Sequence, residues 1–225
     1  MGENAPGLEW CVVLPERDAR RTTLGSKKPL ATVLFSTADG PKERRPVPLA
    51  VGKALRSKLE SKEVNPDSRA ELLHVIRMLE ETYCRSRIES LLNRRDYSEK
   101  ELRERLTSDG YSRSAVERIV GGFVETGLVS DARYGELFVR SKVNAGWGQK
   151  KIEVELSRRG IDVSEVPGWP YEFFNPDDEF ERALGIASAR SFSGKDPYAK
   201  VVRFLAGRGF SYSVARDVAS RLTKE

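Results

Sequence analysis

The sequence predicts a mainly α-helical protein made of three tandem three-helix repeats in an elongated array, preceded by a small β-hairpin or meander. Two observations support this fold class. After Ala50, apolar residues recur at spacings of three and four, which is typical of amphipathic helices. In addition, one set of positions recurs with a period of 50 and then 49 residues, which is the signature of a repeat architecture.

The repeated positions are two apolar residues four apart, a glycine, an apolar residue and a polar capping residue. They are Leu102, Leu106, Gly110, Tyr111 and Ser112, then Ile152, Leu156, Gly160, Ile161 and Asp162, then Val201, Leu205, Gly209, Phe210 and Ser211. The apolar pair forms the buried stripe of one helix, the glycine ends it in the left-handed conformation, and Ser or Asp caps the next helix. Each copy is therefore a helix, a tight turn and a helix.

A further helix before each pair completes the three-helix units, and we expect these helices at 83–95, 131–144 and 178–191. The predicted domains are an extension at 1–65 with short strands and one helix, a first repeat at 66–130, a second at 131–175 and a third at 176–225. In the second repeat, Pro167, Gly168 and Pro170 should shorten or break the third helix. One unit cannot bury its apolar face alone, so neighbouring copies should stack.

The extension has β-prone runs at Trp10–Leu14 and Leu30–Phe35, with a third strand expected at Val47–Leu49. Pro46 and Pro48 restrict that third strand to a sheet edge, because proline cannot donate to the ladder. A long amphipathic helix should follow and run to Leu92. Ser68 and Glu71 fit a capping box at its start.

Composition indicates a globular, cytoplasmic protein without metal or cofactor, and we expect it to be a monomer. The chain has 225 residues, 39% of them apolar, and no apolar run approaches the roughly 20 residues that span a bilayer. Residues 1–6 lack the basic and apolar pattern of a signal peptide. Cys11 and Cys84 are far apart, and His74 is the only histidine, so neither a disulfide framework nor a metal site is indicated.

Charge points to candidate partner-binding residues on two repeats. The net charge is +5, and the stretch from Arg182 to Arg221 is distinctly basic, which favours a polyanion or an acidic protein surface. The candidates in the second repeat are Arg133, Arg140, Lys142, Lys150, Lys151, Arg158 and Arg159; those in the third are Arg190, Lys195, Lys200, Arg203, Arg208 and Arg216. For the second repeat a solvated surface explains the sequence equally well, because Glu153 and Glu155 neutralise part of it. We expect a joint change of Arg203, Arg208 and Arg216 to Glu to preserve the fold and lower partner affinity.

Several segments together resemble the RecX family of bacterial recombination regulators. They are Ser98–Leu106, Gly127–Asp131 with Tyr134, Gly146–Ile161 and Phe204–Ser211. The resemblance covers roughly residues 67 to 223, with the three copies in the right order and spacing. Two features depart from the family pattern, namely the proline-rich end of the second repeat and the first 50 residues, which match only loosely the β-hairpin extension of some members.

The resemblance implies a non-enzymatic protein that lies along the groove of the RecA filament across neighbouring protomers. It further implies inhibition of ATP hydrolysis, strand exchange and co-protease activity, together with weak binding of single- or double-stranded DNA. The residues themselves agree with a non-catalytic role, since the sequence has no P-loop, Rossmann glycine pattern, HExxH or Gly-x-Ser-x-Gly elbow.

Two alternative functions remain open at this point. A sequence-specific DNA-binding regulator would share the helix, glycine turn and helix outline, although such motifs usually have a small residue four before the glycine, where this chain has Leu106, Leu156 and Leu205. A general helical adaptor is the second alternative. For Trp147 and Tyr134 we favour packing over a direct role in partner binding.

Overall fold

The computed structural model describes residues 8–16, 28–37 and 40–223. The targeting interpretation of residues 1–6 therefore concerns a segment outside the described residues. The predicted fold class is confirmed, because a three-stranded antiparallel sheet precedes a succession of α-helices. The strands are β1 (Glu9–Val13), β2 (Ala31–Ser36) and β3 (Glu43–Val47), and the helices are α1 (Leu49–Glu60), α2 (Arg69–Leu92), α3 (Glu99–Ser108), α4 (Arg113–Glu125), α5 (Asp131–Asn144), α6 (Gln149–Arg158), α7 (Pro176–Ser188), α8 (Pro197–Arg208) and α9 (Tyr212–Thr223).

The sheet has the order β1-β2-β3, so β3 is an edge strand, as Pro46 predicts. The position expected for this strand was wrong: β3 runs from Glu43 to Val47, and α1 begins at Leu49. The sequence did not reveal this strand because the charged residues Arg44 and Arg45 are unusual in an apolar strand pattern. In the structure they pair with Leu34 and Val33 of β2. The alternating residues Ala31, Val33 and Phe35 turn inward and are buried.

The chain divides into two compact units, Met1–Val129 and Ser130–Glu225. In the first, the sheet and α1 to α4 share one hydrophobic core. Ser68 caps α2 by accepting from the amide of Glu71, which is half of the predicted capping box. The other half is different, since the carboxylate of Glu71 accepts from the amide of Asp67. The first of the expected preceding helices is part of this longer α2, whereas α5 has the expected bounds and α7 both starts and ends earlier than expected.

The turn glycines of all three repeats, Gly110, Gly160 and Gly209, have positive φ, as the repeat pattern predicts. The capping prediction holds for Asp162 and Ser211, which accept from the amides of Ser164 and Val214. It is wrong for Ser112, because its hydroxyl instead donates to the carboxylate of Glu80, which is 2% exposed. A buried carboxylate needs a donor more than a solvent-facing helix end does.

The second unit contains two hydrophobic clusters, one centred on α5 and α6 and one on α7 to α9. Between α6 and α7 the chain forms a 3₁₀ turn at Val163–Glu165 and then further turns. Buried Phe174 and the half-buried ring of Trp169 from this segment pack on the α5–α6 cluster, 5.5 Å apart. Two aromatic rings thus cover apolar surface of the second repeat without an α-helix.

The two clusters of the second unit meet where the end of α8 approaches the start of α6. The amide of Gly148 donates to the carbonyl of Arg208 at 2.8 Å, and the amide of Lys150 donates to the carbonyl of Gly209 at 3.2 Å. Gly148 is the N-cap of α6 and has no capping side chain, so the carbonyls of α8 satisfy amides that would otherwise lack a partner. We call this contact the seam.

Replacing Gly209 with Ala is expected to destabilise the protein by about 2–4 kcal/mol, because φ is positive there and a Cβ would lie 2.4 Å from the Cβ of Lys151. Urea unfolding followed by circular dichroism measures this loss. Gly207→Ala is the matched control, two residues away in α8, where a Cβ meets nothing within 4 Å. The control should preserve stability or raise it by up to about 1 kcal/mol. Equal stability of the two variants would contradict the close approach at the seam.

Candidate partner-binding surface

Most of the candidate cations of the second repeat contact aromatic rings of the same repeat. Tyr134 and Phe138 stack with ring centroids 6.1 Å apart, and Trp147 meets Phe138 edge-on at 6.5 Å. Lys151 lies 4.2 Å from the Trp147 ring, and Lys142 lies 5.0 Å from it. Trp147 and Tyr134 are half-buried and pack against the core of this repeat, in line with the packing interpretation.

Carboxylates engage the other arginines of this repeat. Glu155 accepts from Arg158 at 2.8 Å and from Arg159 at 2.6 Å, and the hydrogen bond from Arg159 lowers the pKa of Glu155. Burial of Arg159 opposes its charge, but its hydrogen bonds to Glu155 and Tyr134 prevail, so the pKa of Arg159 is raised. Arg140 pairs with Glu136 and lies 5.2 Å from the ring of Phe173. These contacts stabilise the repeat itself.

Arg133 and Lys150 complete the candidate set of the second repeat. Both are exposed, on α5 and at the start of α6 respectively. The structure therefore brings Lys142, Lys151 and Arg159 together around one group of rings, while Arg133 and Lys150 contribute to the charged exterior. For this repeat, a continuous cationic binding face stays a prediction.

The third repeat presents a different arrangement. Five of its exposed cations form what we call the cationic group, which leaves out the exposed Arg221. The five are Arg190, Lys195, Lys200, Arg203 and Arg216. Among the residues that the structure describes, no carboxylate forms an ion pair with any of the five. Their positive charge is therefore directed to solvent or to a partner.

Contacts within the third repeat hold members of the cationic group in place, among them the approach of Arg216 to the ring of Tyr212 at 5.9 Å. The ammonium of Lys200 donates to the carbonyl of Ser193 at 2.7 Å, and Arg190 lies 4.9 Å from the ring of Phe204. Lys200 and Arg190 are both exposed. The apolar stems are thus fixed while the charged groups stay accessible.

Arg182 and Arg208 belong to the same basic stretch, but their guanidinium groups donate to backbone carbonyls beside the seam. Arg182 donates to the carbonyl of Trp147 at 3.0 Å and forms two hydrogen bonds to Glu179. Arg208 donates to the carbonyls of Ala145 and Gly146 at 3.1 and 3.3 Å. These carbonyls lie just beyond the end of α5, where a helix favours positive charge. The structure thus changes the expectation for Arg208, since its replacement should not leave the fold intact.

The described residues offer no centre for catalysis by a metal ion. Within them, no group of three or more His, Cys, Asp or Glu side chains could hold a metal ion. No helix among them is long and apolar enough to cross a membrane. His74 is exposed and contacts Arg77, and burial raises the pKa of the Cys84 thiol to about 12.

Comparisons with known proteins identify relatives of this chain. The model of the first three-helix domain of RecX matches residues 84–121, and that of the second three-helix domain of RecX matches residues 130–166. The regulatory protein RecX of Chromohalobacter salexigens is 41% identical over 130 residues, which cover 56% of this chain and 84% of the relative. The regulatory protein RecX of Vibrio vulnificus is 36% identical over 142 residues, or 61% of this chain and 91% of the relative.

Solved structures show the same fold. The crystal structure of RecX from Lactobacillus salivarius aligns with a TM-score of 0.53 at 21% identity, covering 65% of this chain and 98% of that one. A crystal structure of a regulatory protein RecX aligns with a TM-score of 0.57 at 18% identity, covering 96% of this chain and 99% of that one.

Two neighbouring arginines of α8 should respond differently to charge reversal. Arg208→Glu removes two hydrogen bonds at the seam and places a carboxylate beside carbonyl oxygens, so we expect a loss of roughly 2–4 kcal/mol in unfolding free energy. Arg203→Glu changes an exposed residue and should shift stability by no more than about 0.5 kcal/mol. Thermal unfolding of both variants in the same buffer measures the difference, and comparable melting temperatures would contradict the role assigned to Arg208.

Proposed function

Since the chain belongs to the RecX family of regulatory proteins, we propose that it binds the RecA nucleoprotein filament and inhibits ATP hydrolysis, strand exchange and co-protease activity. The protein acts as a cytoplasmic monomer that binds across neighbouring protomers. Occupation of the filament groove would block access for duplex DNA and for repressor substrates. Inhibition then follows from binding alone, without a chemical step.

The cationic group of the third repeat is the observation that carries this proposal. Its five side chains are exposed and form no internal ion pair within the described residues. A nucleoprotein filament is a polyanion, and cations that replace its counterions gain free energy from counterion release. The same group accounts for weak binding to free single- or double-stranded DNA.

Packing at the turns favours the filament over a sequence-specific operator as the target. Leu106, Leu156 and Leu205 are each 0% exposed and fill the helix junction four residues before the turn glycine. A DNA-reading helix-turn-helix usually has a small side chain at this junction so that its helices can cross closely, and the buried leucines do not fit that pattern. An operator-binding protein would show a large specificity ratio, and a filament binder would show weak, salt-dependent DNA binding.

The central test measures DNA-dependent ATP hydrolysis by the cognate RecA on single-stranded DNA. Adding this protein at substoichiometric amounts should lower the steady-state rate, because one molecule spans several protomers. Co-sedimentation with the filament should accompany the inhibition. Unchanged hydrolysis without co-sedimentation would overturn the proposal, and an adaptor that binds elsewhere would give that result.

A charge reversal of Lys200, Arg203 and Arg216 to Glu should weaken filament affinity on the order of 10- to 100-fold at low salt and reduce the salt dependence of binding. Fluorescence anisotropy with labelled filament measures both quantities. The matched control reverses Lys53, Arg77 and Arg113, which are exposed in the first unit and change the net charge equally. Equal weakening by the two triple variants would assign the effect to net charge instead of to the cationic group.

A further inference from the structure

A groove of about 390 Å³ lies within the second unit, next to the seam. Its walls include Lys150 and Glu153 of α6, Tyr171 and Phe174 of the turn segment before α7, and Val214 of α9. Phe174 is buried and contributes an apolar ring to the lining. The groove exists because turns, instead of an α-helix, connect α6 to α7 in this repeat.

Tyr171 stands beside this groove with 84% of its surface exposed. The fold does not require the ring there, because Trp169 and Phe174 cover the α5–α6 cluster. A nearly fully exposed aromatic ring beside a concave apolar surface is the arrangement found at protein interfaces, where Tyr supplies contact area at a low entropic cost.

The charge around Tyr171 selects the kind of partner. Between residues 160 and 181 the chain has no Lys or Arg and seven carboxylates, at Asp162, Glu165, Glu172, Asp177, Asp178, Glu179 and Glu181. Of these seven carboxylates, only Glu179 forms an ion pair within the described residues, and its partner is Arg182. Lys150 is the single cation in the groove lining, and Gln149 donates to Glu153 within it. The segment that carries the ring is therefore acidic, and Glu153 and Glu179 bring two carboxylates into the groove lining, while Arg182 is held by Glu179.

A nucleic acid base could stack on an exposed Tyr ring, but its phosphates would then approach several carboxylates. A guanidinium or ammonium group fits both features, since it is attracted to the face of the ring and to the carboxylates beside it. The charge complementarity thus favours a protein surface over a nucleic acid.

We propose that the groove at Tyr171 binds an Arg- or Lys-bearing segment of the protein partner. This inference rests on the proposed function for the identity of that partner as a RecA protomer. The second unit then makes two chemically distinct contacts with one filament: the cationic group contacts nucleic acid, and the Tyr171 groove contacts protein.

Three variants test the groove. Tyr171→Ala should weaken binding to the cognate RecA filament about tenfold, whereas Tyr171→Phe keeps the ring and should stay within about twofold of the natural protein. Leu137→Ala is the control, an exposed apolar residue of α5 outside the groove lining, and should have no effect. The exposure of Tyr171 predicts unchanged melting temperatures, which are measured alongside.

Two further probes separate this inference from the proposed function. A hexa-arginine peptide, titrated by calorimetry, should bind the natural protein and lose at least about fivefold in affinity with Tyr171→Ala. A single-stranded oligonucleotide without RecA should bind both proteins equally. If the natural protein fails to bind the filament, the proposed function fails, and the peptide titration alone then decides the inference. Equal peptide binding by Tyr171→Ala, or a matching loss of oligonucleotide binding, would overturn the groove as a cation-binding protein surface.

Discussion

The second unit depends on the backbone contact between Gly148 and Gly209. A Cβ on Gly148 would lie 2.4 Å from the carbonyl group of Gly209, so any side chain would force the two segments apart. The contact joins the carbonyl end of α8 to the amide end of α6, which pairs opposite ends of two helix dipoles. It also satisfies amides that no capping side chain serves.

The arginines of the third repeat fall into two groups according to whether they bind backbone carbonyls near this contact. Arg182 and Arg208 are held at the turn after α5, where they satisfy carbonyl oxygens of the second repeat. Arg203 is only five residues from Arg208, yet it is exposed and outside the seam. Fewer cations of the basic stretch are therefore available to a partner than the residue count indicates. Charge alone is a poor guide to a binding surface when helix ends nearby need cations.

Sequence patterns correctly predicted the helices whose ends are determined by residues close to them in the sequence. The spacing of apolar residues and the cap at Ser130 fix α5 at the bounds expected, Asp131–Asn144, and the positive-φ glycines end helices where the repeat predicts. The strand β3 was misplaced because its arginines conceal a pairing that depends on β2. Similarly, no sequence pattern reveals which carbonyl groups Arg208 reaches, because those carbonyls lie 62 and 63 residues away along the chain.

Between α6 and α7, turns replace the third helix of the second repeat, and this gives the second repeat a surface that the third repeat lacks. In the third repeat, α9 buries Ala215, Val218 and Ala219 against its neighbours, so its apolar residues are used in packing. In the second repeat, rings spaced irregularly among prolines cover the corresponding cluster, and Tyr171 is left outside. Carboxylates of this segment lie on exposed turns and on the first turn of α7, where negative charge is favourable, and Glu179 also pairs with Arg182. The loss of helical periodicity thereby permits an aromatic and acidic surface in the same unit that carries the cationic group.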